Sequence, residues 1–179
     1  RIQEDRFVGR NAGKTRHNGL ELGLNYTWNV SKNLQVAPFL NYTFNDHRFI
    51  DFDDEGVDYS GNALTGVPKV TGVAGVQLRL FQYFYWNTTH QYVSSIPLTD
   101  AGDLDSDAFN LFTTRLGYLK KLSDKFTLGI DFGINNIFDT VYAQSVLINT
   151  QAFGSAEPRY FYPGDARNYY GSVRMGYRF

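Results

Sequence analysis

The sequence predicts an all-β fold, an antiparallel transmembrane β-barrel segment of about seven strands. Three observations carry that prediction. Apolar and polar residues alternate with a period of two in segment after segment, the pattern of strands with chemically different faces. Connections between these segments alternate between short and long, as they do in membrane barrels. Aromatic residues gather at the segment ends, where a ring with a polar tip suits a membrane–water interface.

The first strand spans Leu20 to Trp28, with Leu20, Leu22, Leu24, Tyr26 and Trp28 opposite Glu21, Gly23, Asn25 and Thr27. A turn at 29–33 leads into Leu34 to Asn45, where Pro38 cannot donate to a ladder and a bulge or a weakened ladder is expected. Lys69 to Leu80 sets Val70, Ala74, Val76 and Leu78 against Thr71, Gly75 and Gln77. Phe84 to Val93 and Phe109 to Leu119 follow, with faces that the residues leave blurred, although Arg115 belongs on the polar side. Phe126 to Ile134 is the cleanest strand, its Phe, Leu and Ile residues opposing Thr127, Gly129, Asp131 and Gly133. The last strand runs from Asn168 to Phe179, with Tyr169, Val173, Met175, Tyr177 and Phe179 on one face and Arg174 and Arg178 on the other. Turns at 29–33, 81–83 and 120–125 are short, and the connections 46–68, 94–108 and 136–167 are long. A lipocalin-like soluble barrel would share the alternation, but it requires neither that loop asymmetry nor aromatic girdles.

Composition agrees. Thirteen Tyr and fifteen Phe are many for 179 residues, and seventeen glycines with one methionine favour strands over helices. No cysteine is present, which excludes disulfides and thiolate metal sites. No apolar run is long enough for a membrane-spanning helix, and a barrel needs none. The amino-terminal segment is charged throughout and is no signal peptide. With a net charge of −1, nothing favours a nucleic-acid partner.

Catalytic motifs are missing: there is no GxSxG, no HExxH and no glycine-rich phosphate loop, so no enzyme, catalytic residue, metal site or cofactor is expected. Asp103, Asp105 and Asp107 begin like a calcium loop, but Ala108 and Thr114 occupy the positions of the required glycine and acid. His17, His47 and His90 are far apart in sequence and read as structural or solvated. On the polar strand faces, Glu21, Arg115, Asp131 and Arg174 point into a wet lumen. In the long connections, Arg159, Tyr160, Phe161, Tyr162 and Arg167 combine cations with aromatics, and Arg10 belongs to the basic amino-terminal segment. Guanidinium groups bind carboxylates or phosphates and rings supply contact area, a combination suited to a small anionic ligand.

HNGLELGLNYTW, GNALTGVPKVTGVAGVQL, SSIPLTDAGDLDSDAFNLFTTRLGY, LGIDFGINNIFDTVYA and RYFYPGDARNYYGSVRMGYRF, in that order, resemble the distal barrel of a TonB-dependent outer-membrane receptor. The resemblance covers essentially the whole chain and implies a 22-stranded barrel around an N-terminal plug that couples to TonB. Residues 1–179 then read as the C-terminal part of that barrel, with the plug and earlier strands absent and 1–19 as an outer loop and the end of the preceding strand. It also implies an outer-membrane location and energised uptake of a ferric siderophore or similar chelate. Glycan, peptide or cobalamin import on the same barrel, or a different outer-membrane barrel acting as an enzyme or adhesin, are the alternatives. The partners implied are outer-membrane lipid, the TonB complex through the plug, the rest of the receptor and the anionic ligand. The chain end resembles the terminal assembly signal of outer-membrane barrels at Ser172, Tyr177 and Phe179, while Arg174 stands where that signal has glycine.

Overall fold

In the computed structural model, residues 13–54, 56–150 and 158–179 are described. The first strand is longer at its outer end than the alternation predicts. It consists of β1, Lys14–Asn25, and β2, Trp28–Ser31, both lying against β3, Leu34–Asp51. The two pieces share one register, Asn25↔Phe39 and then Trp28↔Val36. Between them the Tyr26 N–H donates to the Pro38 carbonyl at 3.1 Å, and Pro38 has no N–H to return. The ladder is therefore weakened at Pro38, while β3 itself stays continuous.

Lys14 to Gly19 and Asp46 to Asp51, expected as outer loop, pair with each other as a ribbon above the rest of the sheet. Polar residues dominate both faces of this ribbon, Phe49 and Ile50 apart, so its period-two signal is weak. Backbone pairing forms it, and no apolar solvent demands an apolar face.

A small hairpin of β4, Asp53–Asp54, and β5, Val57–Asp58, decorates the first long connection. Then come β6 (Val70–Leu80), β7 (Phe84–Val93), β8 (Phe109–Lys121) and β9 (Phe126–Asn135). The last long connection holds β10, Ala143–Val146, paired with β11, Phe161–Pro163, before β12, Asn168–Tyr177, ends the sheet. The main sheet runs β1-β3-β6-β7-β8-β9-β12, each strand antiparallel to its neighbour in sequence. Among the described residues it is an up-and-down meander of seven long strands, counting β1 and β2 as one.

Register resolves the two blurred strands. Trp28, Val36, Leu78, Trp86, Leu116 and Phe132 lie in one row across the sheet. Phe84, Thr88, His90 and Tyr92 therefore share the apolar outward face with Trp86, and Arg115 lies on the opposite face. Large side chains on the outward face stay uncovered, among them Ile130, Phe132, Val173 and Met175. Lipid is the medium in which that exposure is favourable.

The short-turn end carries a belt of rings: Tyr83 packs on Phe84 and Tyr118 at 5.1 and 5.6 Å, and Tyr177 meets Phe179 edge-on at 5.3 Å. The tightest turn places Phe81 and Gln82 at φ of 51° and 67°, and the Tyr83 N–H reaches the Leu80 carbonyl at 3.3 Å. Positive φ at both central residues matches the right-handed strand twist of a hairpin, although glycine or asparagine normally fills those places. Phe81 accepts the strain and adds its ring to the belt, stacked on Tyr83 at 6.1 Å.

A one-layer wall has no interior of its own. The buried apolar residues, Phe49, Val93 and Leu98, sit instead at the outer end, where the long connections fold over one another.

Candidate functional site

Two places gather functional side chains: the lumen wall and the outer rim. On the wall, register sets Tyr85, Gly117, Asp131 and Ser172 in one row across β7, β8, β9 and β12. Asp131 is 7% exposed. Its carboxylate accepts from the Tyr85 hydroxyl, from Arg115 Nε and Nη2 at 3.1 and 2.8 Å, and from Ser172 Oγ at 3.1 Å. The Arg115 guanidinium also lies 5.6 Å from the centre of the Tyr85 ring.

Glycine makes this cluster possible. A Cβ at Gly117 would stand 2.1 Å from Tyr85 Cζ, and one at Gly133 would stand 2.2 Å from Tyr170 Cζ. The tip of each ring lies over the glycine of the neighbouring strand, and Tyr85 crosses Gly117 to reach Asp131. With every donor aimed at one carboxylate, the wall is braced.

At the outer rim the long connections interlock. Asp100 accepts from the Thr65 hydroxyl and from Asn149 Nδ2 at 2.9 Å, and its own N–H donates to Asn149 Oδ1 at 3.0 Å. Asn62 Nδ2 donates to the Asp100 carbonyl at 2.9 Å, and the Asn149 N–H donates to the Leu98 carbonyl at 2.8 Å. One aspartate thus ties three connections together around the fully buried Leu98.

Beside this cap opens a pocket of about 400 Å³, lined among others by Asn45, His47, Arg48, Asn62, Lys69 and Asp105. Asp46 pairs with Arg48 at 2.8 Å and with Arg16 at 3.5 Å. The hydrogen bond from Arg48 holds the Asp46 carboxyl below the usual carboxylate range, and Ser60 does the same for Asp58. Asp103 accepts from Thr99 Oγ1 at 2.5 Å. Among the described residues no three His, Asp or Glu side chains converge as a metal-binding set.

The sequence candidates fall as follows. Arg159 is exposed, Tyr160 precedes β11, and Tyr162 on β11 is paired with Ser145 and exposed. Arg167 is engaged at the top of β9: its N–H donates to Asp139 Oδ1 at 2.7 Å and its Nη1 to the Ile137 carbonyl at 3.4 Å. Arg10 lies outside the described residues. On the wall Arg115 and Asp131 are joined, whereas Arg174 is exposed opposite Gly129, in a different row. Ser172, read as part of an assembly signal, also holds Asp131; Tyr177 and Phe179 belong to the ring belt.

Sequence reasoning missed Tyr85, the Asp100–Asn149 pin and the pairing of His17 with His47. For Tyr85 a signal existed in the blurred faces of β7, which only the register could sort. The other two depend on contacts between distant loops and on strand extensions that carry no periodicity.

No curated protein matches the sequence. Among solved structures, the siderophore receptor PiuA from Acinetobacter baumannii is similar at 17% identity and a TM-score of 0.69, over 93% of this chain and 22% of that one. The ferric citrate transporter FecA is similar at 22% identity and a TM-score of 0.69, over 91% and 24%. The ferric yersiniabactin uptake receptor FyuA from Yersinia pestis follows at 17% identity and a TM-score of 0.60, over 94% and 24%. This chain thus spans about a quarter of the length of these structures, and the likeness is one of fold. The family described as TonB dependent receptor-like, beta-barrel matches residues 2–137, most of the chain. With the meander, the bare outward face and the braced lumen wall, that match places the chain in the TonB-dependent receptor β-barrel family, to which it belongs.

Proposed function

We propose that this chain is the C-terminal part of an outer-membrane receptor that takes up an anionic ferric chelate with energy supplied through TonB. The observation that supports this most is the cation and aromatic set on the last long connection, Arg159 and Tyr162 exposed and Tyr160 partly so, at the same end of the sheet as the rim pocket. Cations there attract an anion, and rings cover the organic part of a chelate. The names of the similar structures, a siderophore receptor and a ferric citrate transporter among them, point the same way. In this reading the plug that meets TonB and the remaining strands are supplied by sequence outside these 179 residues. Asp131 and its partners keep the wall stiff around the passage.

The test is the double substitution Arg159→Ala with Arg167→Ala in the full-length receptor, assayed with ferric citrate and a panel of ferric siderophores. Binding of the chelate that the parent imports should weaken, and the difference should shrink with salt, because exposed charges are screened over about 8–10 Å at physiological ionic strength. Unchanged binding by the folded variant would remove these arginines from the ligand path. A parent receptor that binds no ferric chelate, but does bind a glycan, peptide or cobalamin, would overturn the ligand class.

A further inference from the structure

The ribbon above the membrane brings together two histidines that lie thirty positions apart. His17 and His47 are direct cross-strand partners on β1 and β3, on the face that continues the lumen side of the sheet. Their ring centroids are 4.6 Å apart, with planes inclined by 63°. His17 is exposed, and His47 lines the rim pocket. His90, the remaining histidine, is engaged elsewhere, stacked on Phe112 at 4.4 Å and bonded to Asn110 at 2.7 Å.

We propose that His17 and His47 form a two-imidazole clip for a divalent transition-metal ion at the outer rim, with water completing the coordination. Metal–nitrogen bonds of about 2.0–2.1 Å, opened by about 90–110° at the ion, put two imidazole centroids roughly 4.5–5.2 Å apart. The observed separation lies at the cis end of that range. His47 Nδ1 is buried and has no hydrogen-bond partner among the described residues, so no protein group there competes for it. His17 Nε2 is 2.9 Å from Thr15 Oγ1. When that nitrogen donates its proton to the hydroxyl, Nδ1 carries the lone pair, the usual orientation of a metal-binding imidazole by an outer partner. Imidazole selects the zinc, copper and nickel class over calcium or magnesium. Two protein ligands leave open positions, which makes the site exchangeable and distinct from a closed structural zinc site.

The probes are Zn²⁺ by titration calorimetry and Cu²⁺ by electron paramagnetic resonance, on the full-length receptor folded in detergent. The expected result is one ion per barrel and hyperfine structure from two imidazole nitrogens. His17→Gln or His47→Gln should weaken binding by at least about tenfold, and Thr15→Val, which leaves both ligands in place, by about tenfold or less. Heat-modifiable mobility establishes that each variant is folded. Zn²⁺ affinity in folded His17→Gln equal to that of the parent overturns the proposal. A parent Cu²⁺ spectrum without imidazole nitrogen overturns it as well, and the pair is then a packing contact of the ribbon.

Discussion

Asp131→Ala is the most informative perturbation of the wall. It leaves the Tyr85 hydroxyl, both Arg115 nitrogens and Ser172 Oγ without their common acceptor. Hydrogen bonds to a charged group contribute roughly 1.5–3 kcal/mol each when fully buried. Those values do not add here. The Arg115 side chain is 40% exposed, so water solvates its guanidinium once the carboxylate is gone. Ser172 is exposed too, and the Tyr85 hydroxyl bears most of the remaining loss. The expected destabilisation is about 2–3 kcal/mol, and about 1–2 kcal/mol for Asp131→Asn, which keeps one acceptor oxygen. Urea unfolding of the full-length barrel in lipid vesicles, followed by tryptophan fluorescence, measures both. A double-mutant cycle with Arg115→Ala should return a coupling of about 1 kcal/mol. A loss below about 0.5 kcal/mol for Asp131→Ala, or no coupling to Arg115, would refute the idea that this carboxylate braces the wall.

Ile130→Arg puts a charge on the outward face at mid-strand and should cost about 2–4 kcal/mol in the same assay, more than Asp131→Asn, although the Asp131 network narrows the margin. Equal tolerance of the two changes would reverse the facing of β9. Gly133→Ala drives a methyl into the Tyr170 ring and should destabilise by about 1–3 kcal/mol, with most of that loss recovered beside Tyr170→Ala. No recovery in the pair would mean that the ring is not what the glycine accommodates. Asp100→Ala should speed hydrogen exchange in 46–68, 94–108 and 136–150 together while leaving the strands protected. Acceleration in only one of those connections would show that Asp100 does not tie them.

The sequence by itself determined the strand count, the alternation of short and long connections, the ring belt and the outward face of most strands. Each follows from local alternation imposed by lipid on one side and water on the other. Membrane strands are legible for that reason, and β6, β7, β8, β9 and β12 lie close to where the period-two pattern puts them. Where lipid ends, the signal fades: Lys14 to Gly19 and Asp46 to Asp51 pair through their backbones, with Phe49 and Ile50 their only apolar side chains. Tertiary structure alone decided what meets what. Register turned Arg115, Asp131, Tyr85 and Ser172 from separate polar positions on four strands into one network, with glycines making room for the rings. It also set His17 against His47, and loop packing made Asp100 a pin and left Arg167 holding a turn. These contacts join residues tens of positions apart, and their geometry depends on how each strand is staggered against the next, which no local period records.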